Sequence, residues 1–320
     1  MRSKSVDNSE LTPSLKTDRP NLPGNTTRSL KKPIRFGVIA DLHYDLMHDG
    51  IDRMKSFLSS IIMNQTDAII QLGDFAYPNA NNKEIINLFN QAHERSLHVI
   101  GNHDTDSGHT KQMCLDIWGM PAPYYIQKID WLSFLVLDGN DLGSPTHKGG
   151  YPSYIGDEQI EWLRKKLEMI DGPIIVFCHQ PLAGNSAVDN AVEIQSVLEK
   201  AADKIILSIN GHSHIDDLLH INGISYMHVN SASYYWVGAP YQHDSYPKKV
   251  HDDYPWISYT CPYRNALFAM FTVDPNSLKI GVEGQHSQWV GKSPADLGYN
   301  INSDLKHGEQ IVPKIINRFF

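Results

Sequence analysis

Apolar and polar positions switch between two periods along most of this chain. Ile34 to Ala40 is an apolar run of strand length, and Ile51 to Met63 then takes up the spacing of a helix that buries one face. The succession repeats: Ala68 to Leu72 reads as a strand, Asn82 to Arg95 as a helix, and Leu97 to Ile100 as a strand. Further along come a strand at Trp131 to Leu137, a helix at Asp157 to Met169 and a strand at Ile174 to Cys178. A helix at Ala191 to Lys200 and a strand at Lys204 to Ile209 follow. Strands separated by helices imply parallel βαβ units. Ile224 to Val229, Leu267 to Val273 and Leu278 to Val282 have no long helix between them, which predicts hairpin-connected strands on a second sheet. The class is α/β, with two mixed sheets packed together and helices outside.

Three stretches fall outside this alternation. Residues 1–33 are rich in Ser, Thr, Asn, Pro and Lys and read as a disordered or extended lead-in. They hold no apolar core like that of a signal sequence. A trimmed secretion leader leaves such a stretch, and so does an ordinary cytosolic tail, so a periplasmic or secreted and a cytoplasmic location both stay open. Residues 233–264 are dense in tyrosine and tryptophan without clear periodicity. A long loop inside a compact domain is functional or disordered, and so many rings favour an ordered lid or wall over disorder. The plain alternative is a local core beneath the loop. Residues 34–286 then form one domain, and 287–320 a C-terminal extension packed on it.

Composition narrows the function. The 320 residues are 41% hydrophobic and 20% charged, ordinary for a globular protein. A net charge of −8 argues against a nucleic-acid partner or an anionic membrane surface. No apolar run is long enough for a membrane-spanning helix. Cys114, Cys178 and Cys261 are far apart and odd in number, which suits neither a disulfide framework nor a zinc ribbon. Histidine is the outlier at 16 residues, and metal binding is one common use of it.

Candidate chemistry sits at the ends of the predicted strands. Asp41-Leu42-His43 follows the first, Gly73-Asp74 the second and Gly101-Asn102-His103-Asp104 the third. His179 ends the strand at Ile174 to Cys178, and Gly211-His212-Ser213-His214 ends the one after it. Open α/β sheets bind ligands beyond the carboxyl ends of their strands, so these five loops should converge. Taken singly, each is an ordinary turn; five in order, each after its own strand, are not. They gather two aspartates, an asparagine amide and four histidines. Mixed nitrogen and oxygen donors without thiolate suit Mn, Fe or Zn better than Ca or Mg. Seven ligands are too many for one such ion and suit two divalent transition-metal ions, with Asp74 the natural bridge.

In order and spacing the series resembles the calcineurin-like metallophosphoesterase superfamily, over roughly residues 34–286. The resemblance implies a four-layer αββα sandwich with the metal site at the C-terminal ends of the strands. It also implies that Asp41, His43, Asp74 and His214 hold one ion, and Asp74, Asn102, His179 and His212 the other. The implied activity is phosphoric ester hydrolysis by a hydroxide between the two ions, whose charge lowers the pKa of bound water. His103, next to Asn102, is the candidate acid for the leaving group, with Asp104 orienting its ring. A non-catalytic scaffold of the same fold is the alternative from another class.

The partner expected is a small nucleotide-like phosphodiester or phosphomonoester. Gly73-Asp74-Phe75-Ala76-Tyr77-Pro78 lacks the arginine of the protein phosphatases that this superfamily includes. Asn230, Tyr234, Tyr235, His243 and Arg264 are candidate substrate contacts, because the aromatic segment suits a flat leaving group. Arg53 and Asp45 either pair beside the site or cap the helix near Ile51, and the structural reading is favoured.

Overall fold

The computed structural model describes residues 31–299, 305 and 310–320. The expected lead-in therefore lies outside the described residues, apart from its last three positions. β1 (Ile34–Ile39) leads into α1 (Gly50–Asn64), β2 (Ala68–Gln71), α2 (Lys83–Asn90) and β3 (Ser96–His98). These three strands pair in parallel. α3 (Lys111–Trp118) and β4 (Tyr125–Ile129) precede β5 (Leu132–Val136), α4 (Asp157–Met169), β6 (Ile174–Cys178), α5 (Ala191–Leu198) and β7 (Ile205–Asn210). β8 (Asp217–Ile221) and β9 (Ile224–His228) follow, and then a small ribbon of β10 (Tyr234–Trp236) and β11 (Thr260–Pro262) that brackets α6 (Lys248–Asp253). The chain closes with β12 (Ala269–Val273), β13 (Ile280–Glu283) and β14 (Arg318–Phe319).

Two six-stranded mixed sheets result, ordered β14-β13-β12-β1-β2-β3 and β4-β5-β6-β7-β9-β8. Period-two alternation explains why the second sheet's strands read as unbroken apolar runs. Phe134, Val136, Ile175, Phe177, Leu207 and Ile209 face the core between the sheets. Leu135, Leu137, Val176 and Cys178, in between, pack with Leu163 and Leu167 of α4 and Val197 of α5. Phe36 stacks on Phe271 at 4.9 Å and meets Phe134 of the other sheet edge-on at 4.9 Å. The four-layer sandwich follows from these two apolar faces.

One placement departs from expectation. β9 joins the second sheet, but β12 and β13 return to the first, where β12 pairs antiparallel with β1. Patterning sets which face of a strand is apolar and leaves open which edge it joins, and the free edge of β1 needed a partner. α3, β4 and β8 also went unforeseen. α3 does carry helix signals: Thr110 caps its first turn by accepting from Met113 N, and Gly119 ends it at φ 79°.

Arg53 does not pair with Asp45. Its buried guanidinium binds Asp49 at 2.7 Å and donates to the carbonyls of Ala232 (3.0 Å) and Tyr263 (2.7 Å). It thereby ties α1 to both ends of the aromatic segment. Arg53→Met should lower the unfolding free energy by about 3 kcal/mol in urea titration, since two buried carbonyls and Asp49 lose their partner. A change below about 1 kcal/mol would show that this tie is dispensable.

Candidate metal centre

The five loops leave β1, β2, β3, β6 and β7 at one edge of the sandwich and are laced together by their backbones. Asp41 N–H donates to Gly73 O (3.1 Å), His43 N–H to Asp74 O (2.9 Å) and Gly211 N–H to His179 O (3.1 Å). Asp41, His43, Asp74, His212 and His214 all hold left-handed backbone, with φ between 47° and 64°. Such conformations cost free energy in non-glycine residues and persist only where the surroundings enforce them. Close approach explains the motif glycines. A Cβ on Gly101 would collide with the nitrogen and carboxylate of Asp74, and one on Gly211 would sit 2.6 Å from Asp41 Oδ2.

The donor atoms form two groups, Asp41/His43/His214 and Asp74/His179/His212. Asp74 Oδ2 lies 3.3 Å from His179 Nε2 and 3.7 Å from His43 Nε2, so this carboxylate faces both groups. Its other oxygen accepts from His103 N–H at 2.8 Å. Asn102 Oδ1 is 3.1 Å from His179 Nε2, and Asp41 Oδ1 is 3.3 Å from His214 Nε2. Outer contacts fix the rings: His179 Nδ1 donates to Leu72 O (2.7 Å) and His214 Nδ1 to Tyr234 O (2.8 Å). Both Nε2 atoms therefore point inward, as second-shell partners arrange in metal sites. His43 Nε2 faces His214 Nε2 at 3.4 Å. Inward-facing imidazole nitrogens beside two buried carboxylates form a donor set that fits divalent cations.

Charge in this cluster is uneven. Burial drives the His43 imidazole well below its usual range and His212 down to about 3. Burial also disfavours charge on His179, but Asp74 and Asp41 outweigh it and hold that ring up to about 9. Against burial, His179, His103 and His43 hold Asp74 well below the usual carboxylate range. Neutral His43 and His212 are already in the form that binds a cation.

His103 lines the cleft, with its ring 5.2 Å from that of His43. Asp104 does not orient it. The Asp104 carboxylate instead accepts three backbone N–H groups, from Asp74 (2.9 Å), Phe75 (2.8 Å) and Gly101 (2.7 Å), and so pins the second loop to the third. Burial and the neighbouring Asp74 push its carboxyl up to about 8. The partner of His103 is Asp106, whose Oδ2 takes Nδ1 at 2.7 Å and Tyr151 O–H at 2.8 Å. Nε2 is then the nitrogen left for the cleft. Burial lowers the His103 pKa, but Asp74 and Asp106 more than offset it, so this ring holds its proton above the usual value. Asp106 was findable, three residues on within one tight turn; Tyr151 arrives from a distant loop with no local signal.

Of the candidate substrate contacts, Tyr234 and Tyr235 line the cleft. Asn230, His243 and Arg264 do not. Asn230 is buried, donating to Val312 O and Lys314 O and accepting from Tyr263 O–H. His243 Nδ1 binds Tyr241 O, and Arg264 is exposed on the stretch whose backbone meets Gln288. Phe75, Tyr77 and Trp256 line the cleft instead, alongside Trp236.

Comparison with known proteins agrees with this geometry. The sequence profile described as calcineurin-like phosphoesterase matches residues 34–216, more than half of the chain. A curated relative from Fibrobacter succinogenes, named as a probable cyclic nucleotide phosphodiesterase, is 27% identical over 202 residues, covering 58% of this chain and 74% of that one. A dimetal phosphatase from Danio rerio superposes with a TM-score of 0.56 at 14% identity, covering 81% of this chain and 99% of the other. GAP50, the anchor in the inner membrane complex of Plasmodium, superposes with a TM-score of 0.54 at 17% identity, covering 82% and 90%. At such identities the two structures share the fold alone.

The two aspartates of the third loop should separate in stability. Asp104→Ala strands three buried N–H groups and should cost about 3 kcal/mol or more. Asp106→Ala, nearer the surface, should cost about 1 kcal/mol or less. Equal losses in urea denaturation would contradict these assignments.

Proposed function

The chain belongs to the calcineurin-like phosphoesterase family, and from that premise we propose that it hydrolyses a small phosphodiester or phosphomonoester at a dinuclear metal centre. The observation that carries this reading is Asp74, one carboxylate oxygen set between imidazoles of both donor groups. Asp41, His43, Asp74 and His214 would hold one ion, and Asp74, Asn102, His179 and His212 the other. Mn, Fe or Zn matches these donors. When bound, such ions supply Lewis-acid stabilisation of phosphoryl oxygens and water of lowered pKa.

The remaining work falls to the chain. His103 donates the proton that the leaving oxygen needs, from Nε2, while Asp106 takes Nδ1–H and fixes the ring. Tyr151 O–H, bound to the same carboxylate oxygen, holds Asp106 in turn. Leu72 O and Tyr234 O keep His179 and His214 facing inward. The exposed rings beside the cleft suit a flat substituent on the substrate, since aromatic faces stack without needing fixed hydrogen-bond geometry.

Elemental analysis after loading with Mn or Fe should give about two ions per chain, and chelation should abolish hydrolysis of p-nitrophenyl esters. Asp74→Asn should lose metal and activity together. Full activity in metal-free protein would defeat the dinuclear reading.

His103 is tested by leaving-group dependence. His103→Ala should keep its metal and slow alkyl phosphoesters by about a hundredfold or more, with a smaller effect on p-nitrophenyl esters, whose leaving group needs no proton. Asp106→Asn should follow the same trend with a smaller loss. Equal slowing of both ester types would remove His103 as the acid.

A further inference from the structure

Two grooves meet at the candidate metal centre, and their chemistry differs. One, of about 490 Å³, passes Leu46, Phe75, Tyr77 and Trp256, with Asp45 and Asp106 also on its wall. The other, of about 480 Å³, passes Asn102, Asn185, Ser186 and Ser213, with Tyr235 beside them. His43, Asp74, His103, Tyr151, Tyr234 and Trp236 line both, so the centre is their junction. Trp236, at the junction, and Trp256, in the first groove, stay 42% and 57% exposed. Both rings lean on Tyr259, at 5.6 and 5.2 Å, which makes them rigid walls with surface to spare. In the second, half-buried Asn185 and exposed Ser186 have no side-chain hydrogen bond among the described residues. No lysine or arginine among the described residues lines either groove.

We propose that the centre takes an acyclic phosphodiester with one phosphate, a flat aromatic alcohol in the first groove and a hydroxyl-rich, sugar-like alcohol in the second. This rests on the phosphoester-hydrolase reading above and narrows it. A monoester has one substituent and leaves a groove filled with water, forgoing binding free energy that a diester turns to positioning. A 3′,5′-cyclic nucleotide carries both ester oxygens on one ring system and cannot extend arms in two directions. A second phosphate would find no cationic side chain in either groove. Amide and hydroxyl groups without partners suit substrate hydroxyls, and exposed indoles suit a ring.

The p-nitrophenyl ester of thymidine 5′-monophosphate and p-nitrophenyl phosphate share a leaving group and differ only in the second arm. With Mn-loaded protein, kcat/KM for the nucleoside diester should exceed that for the monoester, and that for 3′,5′-cyclic AMP, by at least about tenfold. Asn185→Ala should narrow the diester-to-monoester ratio by about threefold or more. Monoester or cyclic nucleotide turned over as well as the diester would overturn this proposal and leave the dinuclear reading standing. Metal-loaded protein that turns over none of the three would overturn both.

Discussion

Everything at the loop-bearing edge of this sandwich answers to the burial of Asp41 and Asp74 among four histidines. Taking carboxylates out of water costs several kcal/mol each unless charge or hydrogen bonds compensate. Part of the compensation is local: Asp41 accepts from His212 N–H, and Asp74 from His103 N–H. Part comes from His179, whose imidazole Asp74 and Asp41 hold up to about 9. Geometry follows from the same demand. Five loops approach so closely that glycines are required at Gly101 and Gly211, and five donors adopt left-handed backbone. Strain of that kind is what a fold sustains where function over-determines the backbone.

The aromatic segment unites the two roles foreseen for it. Tyr234 and Ile257 pack with Met47 into a small core of their own, while Trp236 and Trp256 remain open to the cleft. Arg53 joins this segment to α1 from behind through Ala232 O and Tyr263 O. A wall anchored by a buried guanidinium and its own apolar cluster is a rigid surface, and rigidity is what lets exposed rings select substrates at low entropic cost.

Much of the fold and of the donor set was legible because both depend on local pattern. β1, β2, β6 and β7 announce themselves as apolar runs, and a candidate ligand follows each within three residues. Strand partnership is different. β12 could pair beside β1 or on the other sheet with the same apolar face, and only the competition for a free edge decides. Side-chain roles at the third loop were ambiguous for a related reason. Asp104 and Asp106 are both within reach of His103 in sequence, but the tight turn sends Asp104 down onto the N–H groups of Gly101, Asp74 and Phe75. Tyr151 and Trp256 come from loops whose path no periodicity encodes.

That no lysine or arginine among the described residues lines the grooves bears on the choice between catalyst and scaffold. A protein-binding surface has no need for buried imidazole nitrogens converging on two carboxylates, and it gains nothing from keeping lysine and arginine out of the grooves beside them. On the catalytic reading the two features belong together. Bound ions would supply the positive charge for phosphate, so the grooves are free to differ, one richer in aromatic rings and the other in amide and hydroxyl groups. Specificity then rests on the shape and polarity of the two substituents, and affinity for the phosphate rests on the metal-loaded state.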